Sequence, residues 1–237
     1  GAGKGTQAEK VSERYNIPAI STGAIIREAI KTGTEMGHAA KAYAEKGALV
    51  PDEVVIGIIK ERLAEDDCKD GFILDGFPRT VNQAKAMIEA DVVPTVVIEL
   101  QAPEDVILDR ALNRIVCEDC GEAYTLNDYK PPKVEGVCDK CGGKLIRRKD
   151  DEEATVLNRF EVYKQETHPL LSVLEEAGVE ICVLDATSED IDEQFAILME
   201  KYSSICSRER QRTPAAFRHF IHTKYILLFS INSSFLS

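Results

Sequence analysis

The chain has 237 residues, 44% of them apolar and 30% charged, with 41 Asp and Glu against 29 Lys and Arg and a formal net charge of -12. That much apolar material builds a core for one or two domains and excludes a disordered tail. The acidic balance argues against a protein whose main partner is nucleic acid, because counterion-release binding needs clustered cations. No apolar run approaches the roughly eighteen residues that span a bilayer, and no charged-then-apolar leader pattern opens the chain. A cytoplasmic protein of small-molecule chemistry, with no membrane partner, is the expectation.

Gly1-Ala-Gly-Lys-Gly-Thr6 runs straight into a helical pattern. Glycines let backbone N–H groups approach phosphate oxygens, a helix N-terminus favours the anion, and Lys4 reaches toward it, which reads as the second half of a phosphate-binding loop. The spacing departs from the strict form in that Gly5 separates Lys4 from Thr6. Ile17 to Ile20 reads as a short strand. Pro51 and Asp52 then open a period-3.6 stretch through Val54, Val55, Ile58, Ile59 and Leu63. The apolar segment Gly71 to Asp75 reads as a strand ending on a carboxylate, followed by Gly76-Phe-Pro-Arg-Thr80. A carboxylate leaving a buried strand beside a phosphate loop can hold Mg²⁺ through water, and Arg79 can grip a phosphate with two N–H groups. Thr95 to Leu100 is a further strand, and Pro103 opens a helix carrying Val106, Ile107, Arg110, Ala111 and Arg114. Helices alternating with strands predict an α/β protein with a largely parallel sheet.

From Cys117 to Lys149 the alternation stops, with Gly121, Pro131-Pro132, Gly136 and Gly142-Gly143 but little apolar periodicity, the pattern of an inserted subdomain. Such an insert needs a staple. Cys117-x₂-Cys120-x₁₇-Cys138-x₂-Cys141 fits a closed four-thiolate site, in which zinc would be structural and would not touch the phosphates. Seven cysteines, an odd total, argue against a complete disulfide framework, and iron is the other metal that the spacing admits. A zinc ribbon for nucleic acid would be basic, whereas here Glu118, Asp119, Glu122, Asp128, Glu135 and Asp139 face three lysines. A long helical pattern resumes at about Asp151 and runs toward Ala177, and Val179 to Leu184 is a last strand. From Ser203 the character changes to basic, with Arg208, Arg210, Arg212, Arg218 and Lys224 against Glu209. This tail, ending in a short apolar run from Tyr225, is expected to lie outside the fold.

The strings GAGKGT, STGAIIREAI from Ser21, GALVPDEVV from Gly47, GFILDGFPRTVNQA from Gly71, the cysteine insert and RRKDDEEATVLNRFEVY from Arg147 together resemble the adenylate kinases in their long-lid, zinc-containing form. The resemblance runs from Gly1 to about Tyr202. It implies a P-loop nucleoside-monophosphate kinase fold, a parallel sheet flanked by helices with an inserted zinc-binding lid. Its parts would be a core of residues 1–20, 52–113 and 160–202, a monophosphate-binding part 21–51, a lid 114–159 and a separate tail 203–237.

The activity implied is Mg²⁺-dependent, reversible phosphoryl transfer from ATP to AMP giving two ADP, in adenine nucleotide homeostasis and AMP salvage, by a monomer with structural Zn²⁺. On the ATP side the resemblance places Gly1, Ala2, Gly3, Lys4, Gly5, Thr6, Arg110, Arg114, Ala123 and Tyr124. On the AMP side it places Thr22, Arg27, Ala48, Leu49, Val50, Gly76, Phe77, Pro78, Arg79, Gln83, Arg148 and Arg159, with Gln83 on the adenine edge. Lys4, Asp75, Arg79, Arg114, Arg148 and Arg159 would be catalytic, beside an acidic pair, Asp150 and Asp151. The chemistry is coherent with this set, because transfer between two nucleotides crowds anionic oxygens together, and the protein must align them, offset their charge and exclude water. Two alternatives stay open. One is a GTP-using or other nucleoside-monophosphate kinase. The other is an inactive, truncated form: the family's strand ahead of the phosphate loop has no counterpart before Gly1, which would leave two strand edges unpaired.

Overall fold

The computed structural model describes residues 1–212 and 224–232. The chain opens with helix α1 (Lys4–Tyr15), strand β1 (Ala19–Ser21) and the helices α2 (Thr22–Thr32), α3 (Glu35–Lys46) and α4 (Asp52–Leu63). Strand β2 (Gly71–Asp75), helix α5 (Val81–Glu89), strand β3 (Val96–Ala102) and helix α6 (Glu104–Leu112) follow. Three short strands, β4 (Arg114–Cys117), β5 (Ala123–Thr125) and β6 (Leu145–Arg147), form the insert. Helices α7 (Glu153–Val162) and α8 (His168–Glu176), strand β7 (Glu180–Asp185), helix α9 (Ile191–Arg212) and strand β8 (Lys224–Asn232) complete the described fold.

The main sheet has the order β1-β2-β8-β3-β7, with every pairing parallel. Parallel strands are covered on both faces, so they read as apolar runs. In β3, Val96, Ile98, Leu100 and Ala102 join one core with Val11 of α1 and Leu198 of α9. Val97 joins the opposite core with Ile59 of α4, Ala84 of α5 and Leu170 and Leu174 of α8. The carboxyl ends of these strands carry the phosphate-loop side of the molecule, because Asp75 ends β2 and α1 starts at Lys4.

Two expectations change here. The segment 203–237 does not stand wholly apart: α9 continues past Tyr202 to Arg212, and β8 occupies the middle of the sheet. Its register sets Lys224 opposite Gly71, Leu228 opposite Asp75 and Asn232 opposite Ala102, so neither β2 nor β3 has an unpaired inner edge. The physical reason is that an apolar run of strand length has its lowest free energy with both backbone edges bonded. The rest of that segment lies outside the described residues. The long helix expected from Asp151 toward Ala177 is interrupted at Tyr163–Thr167 by a π-helical turn, whose His168 N–H bonds to the Tyr163 carbonyl. Pro169 explains the break, since its ring clashes with the carbonyl four residues back and it has no N–H to give.

The insert is an antiparallel sheet of order β5-β4-β6, with Ile115 opposite both Tyr124 and Arg147. Its core is only Ile115, Cys117, Tyr124, Cys138 and Leu145, while Leu126, Val134 and Val137 stay exposed. Among the described residues, no helix is long and apolar enough to cross a membrane.

Candidate active site and metal centre

The loop ahead of α1 is shaped by two glycines. A Cβ at Gly1 would run into the carbonyl and side chain of Ile107, and Gly3 caps the helix at φ 82°, in the left-handed region that favours glycine. Gln7 N–H donates to the Gly3 carbonyl at 3.0 Å, so the preceding amides face outward at the helix N-terminus. Ala2 is buried in the core beneath the loop, so only its backbone can meet a ligand. Lys4 is enclosed. Burial pulls its ammonium below the ordinary lysine value, Asp75 opposes that, and Arg79, Arg114 and Arg159 add to it.

Beyond β2 the backbone turns at Gly76, φ 79°, where a Cβ would meet Arg79 Nη2 at 2.7 Å. Arg79 Nε donates to the Gly76 carbonyl at 2.8 Å, and Thr22 Oγ1 donates to the same oxygen at 2.7 Å. Phe77 is buried, and the Phe77–Pro78 peptide is cis. Thr167 Oγ1 donates to the Arg79 carbonyl at 2.8 Å, and Arg79 N–H donates to Gln83 Oε1 at 2.8 Å. The guanidinium is therefore aimed from a backbone fixed on both sides. Asp75 Oδ1 is buried with no protein partner, the kind of oxygen that a cation or its water would satisfy.

The arm from Arg147 into α7 brings its charges over this loop. Arg114 Nε donates to Asp151 Oδ2 at 2.7 Å, and its Nη2 grips the other carboxylate oxygen. Arg148 Nε donates to Asp150 Oδ1 at 2.9 Å, and Arg159 Nη2 donates to Asp150 Oδ2 at 2.5 Å. Burial raises the Asp150 carboxyl, but bonds and charge from Arg148 and Arg159 outweigh it and hold the group well below the ordinary range. Arg27 is pulled down to about 10 by burial and then by Arg148, with Arg114 and Arg159 adding and Asp150 opposing. Arg79 is lowered by burial, Asp75 opposing, with Arg159 and Arg148 adding. Lys4, Arg27, Arg79, Arg114, Arg148 and Arg159 thus converge on Asp75, Asp150 and Asp151, an excess of three positive charges in a chain of net -12.

Arg110 stands apart from this cluster. Its guanidinium donates to the carbonyls of Ala186 at 2.7 Å and of Thr187 and Ser188 at 3.1 Å each, and lies 4.1 Å from the centroid of the Tyr129 ring. With its N–H groups engaged edge-on, it offers a flat cationic face to a neighbouring cavity of about 380 Å³ lined also by Val106, Asn127 and Thr187. Tyr124, which the resemblance places with Ala123 where the lid covers ATP, has its ring buried in the insert's own core, its hydroxyl accepting from Asp139 N–H at 2.9 Å and 3.5 Å from Cys138 Sγ. Alternation along β5 turns it inward, while Ala123 pairs with Val116. The aromatic ring at the cavity is Tyr129, which lies past the strand, where periodicity carries no signal.

Ala48, Leu49 and Val50 connect α3 to α4, with Val50 buried against Val55 and Phe72 in one core. The α7 arm touches the end of α3 just ahead of this segment, since Asn158 Nδ2 donates to the Lys46 carbonyl at 2.8 Å. Two further contacts tie the insert to its neighbours: Lys140 pairs with Glu9 of α1, and Lys31 Nζ of α2 donates to the Glu118 carbonyl at 3.3 Å. Gly5 and Thr6 lie in the first turn of α1, and Thr6 borders the cleft under Lys130 and Lys140.

The four cysteine sulfurs of the insert all lie within 4.8 Å of one another, with Cys117 and Cys141 at 3.4 Å and Cys120 and Cys138 at 3.6 Å. A tetrahedron with metal–sulfur bonds of about 2.3 Å has edges of roughly 3.8 Å, so the set fits zinc with little adjustment. Burial opposes ionisation of Cys138, but bonds from the Tyr124 hydroxyl and from the Cys141 and Lys140 amides hold its thiol down at about 6. That favours the thiolate a metal requires.

The family model described as "Adenylate kinase" matches residues 1–179. The chain belongs to the adenylate kinase family. The adenylate kinase of Archaeoglobus fulgidus is 49% identical over 210 residues, covering 86% of this chain and 96% of that protein. Those of Geobacillus sp. and Caldicellulosiruptor saccharolyticus are 50% and 51% identical over 204 and 183 residues, covering 84% and 76% of this chain and 93% and 85% of theirs. The expected class, an α/β fold with a parallel sheet flanked by helices, stands, and the cysteine cluster is compatible with an adenylate kinase's zinc-binding insertion.

Proposed function

We propose that this chain catalyses reversible transfer of the terminal phosphoryl group of ATP to AMP, giving two ADP. The observation that carries this reading is the convergence of six cations on three carboxylates at the end of β2. An excess of buried positive charge held by ion pairs is stable only until stronger anions arrive, and two nucleotides supply them. In this reading the Gly1–Thr6 loop and Lys4 hold the donor phosphates, Arg114 assists them, and Arg79 lies between donor and acceptor. Arg27, Arg148 and Arg159 hold the AMP phosphate, exchanging Asp150 and Asp151 for it. Thr22, the Ala48–Val50 segment and the Gly76–Pro78 turn line the AMP side, and Gln83 reads its adenine.

Arg110, backed on one face by the Tyr129 ring, presents its other face to the donor base. Adenylate kinases use Mg²⁺ with ATP, where the ion neutralises the phosphate oxygens, and the partnerless oxygen of Asp75 suits its water shell. Zn²⁺ on Cys117, Cys120, Cys138 and Cys141 is structural, stapling an insert whose own core is small. The insert's contacts with Glu9 and Lys31 keep water from the reacting phosphoryl group. Free thiols fit a reducing cytoplasm, and a monomer suffices because one chain supplies all these groups.

The test is ADP formation from ATP and AMP with Mg²⁺, in wild type and Arg79→Ala. The reading predicts that kcat falls at least about 100-fold in the variant, the cost of removing one aimed cation from a transferring phosphoryl group. Equal rates in the two proteins would refute it.

A further inference from the structure

Gln83 is only 1% exposed, and its amide is bound at both ends. Oε1 accepts the Arg79 N–H at 2.8 Å, while Nε2 donates to Asp52 Oδ1 at 2.7 Å. Both bonds favour the same orientation of the amide, because a backbone N–H cannot be met by an NH₂ group and a carboxylate cannot be met by an amide oxygen, so turning the amide over costs both. Asp52 is itself held: Thr80 Oγ1 lies 3.0 Å from both of its oxygens, and the same hydroxyl caps α5 by accepting the Gln83 N–H at 3.1 Å. Asp52 opens α4, directly after the Ala48–Val50 segment and Pro51, so this circuit joins the loop after β2 to the entrance of the monophosphate part.

With one partner on each side, the amide keeps one N–H and one lone pair, a donor beside an acceptor in fixed order. Adenine presents on its pairing edge an acceptor, N1, beside a donor, the 6-amino group. A 6-oxopurine presents the reverse, N1–H beside O6. An amide free to turn over about its last bond reads either order, whereas a locked amide reads one and leaves buried polar groups unpaired against the other.

We infer that Asp52 is a specificity-determining positioning residue, which by locking the Gln83 amide makes the acceptor site select a 6-aminopurine monophosphate over a 6-oxopurine monophosphate. Asp52 acts through Gln83 and does not touch the substrate, and the inference rests on the reading of Gln83 as the group that faces the acceptor base. Removing the carboxylate lowers the cost of turning the amide over to the loss of the single Arg79 bond.

The experiment compares kcat/KM for AMP and for inosine monophosphate, with ATP as donor, in wild type, Asp52→Asn and Gln83→Leu. Inosine monophosphate differs from AMP only in carrying N1–H and a 6-oxygen, and Asn at position 52 keeps the size of Asp while serving either amide orientation. The expected result is that the AMP to inosine monophosphate ratio falls about tenfold in Asp52→Asn and further in Gln83→Leu. A ratio measured on one preparation is independent of how much of the protein is folded, so a merely structural Asp52 would leave it unchanged. An unchanged ratio in Asp52→Asn beside a collapsed one in Gln83→Leu would overturn the lock alone. An unchanged ratio in Gln83→Leu would overturn the reading of Gln83, and the lock with it.

Discussion

Asp150 shows how a single residue links charge, stability and chemistry. Arg148 and Arg159 hold its carboxyl well below the roughly 3.9 of an unfolded aspartate, despite burial that acts the other way. A group depressed in the folded state contributes stability that is fully present above its unfolded value and disappears as pH falls through the folded one. Thermal unfolding followed from pH 7 down to pH 3 is therefore predicted to show a midpoint that drops in acid. Asp150→Asn should flatten part of that drop while costing on the order of 2 kcal/mol at pH 7, since it leaves two arginines short of a partner. These charges were legible in the sequence through the resemblance, which places Arg148 and Arg159 beside the acidic pair Asp150 and Asp151. The Tyr129 ring beside Arg110 was not, because it lies past β5, where periodicity carries no signal. Tyr129→Ala is predicted to raise KM for ATP roughly tenfold, because it removes the ring against which Arg110 is stacked, with KM for AMP unchanged. Tyr124→Phe should leave both constants alone, since its hydroxyl serves Asp139 and Cys138.

Elements differ in how much local pattern specifies them. The strands β2, β3 and β7 lie within one or two residues of the apolar runs Gly71–Asp75, Thr95–Leu100 and Val179–Leu184, and α4 and α6 begin just after Pro51 and Pro103. Strand β8 was visible only as an apolar run, because nothing local tells a strand which of several edges it will join. Its place between β2 and β3 gives a direct prediction: deleting residues 224–237 should abolish cooperative thermal unfolding, read by far-ultraviolet circular dichroism, because both inner edges lose their partner. A deletion variant melting at the wild-type midpoint would contradict this pairing. The insert depends on its cysteines in another way, since five buried residues make a small core. Cys138→Ser is predicted to lose metal, measured by elemental analysis of the purified protein, and to lower the melting midpoint by several degrees, while leaving ADP formation measurable at low temperature.

At the scale of the whole molecule, the acid excess and the cationic site belong to one electrostatic arrangement. A chain of net -12 concentrates six cations over three carboxylates where α1, the loop after β2 and the insert's arm meet. The α/β architecture was legible from alternation alone, whereas the encounter of Arg114, Arg148 and Arg159 with Lys4 and Arg79 depends on how the insert folds back. No spacing in the sequence encodes that closure. It is carried by contacts between distant segments, Lys140 with Glu9 and Asn158 with Lys46.

The central claim, that this assembly joins two nucleotides for phosphoryl transfer and shields the reaction from water, is tested most directly by stoichiometry. ATP consumed and ADP formed should be counted with Mg²⁺, in the presence and absence of AMP. The account predicts two ADP for each ATP consumed with AMP present, and negligible ATP consumption without it. One ADP and one inorganic phosphate per ATP, at a rate indifferent to AMP, would contradict it.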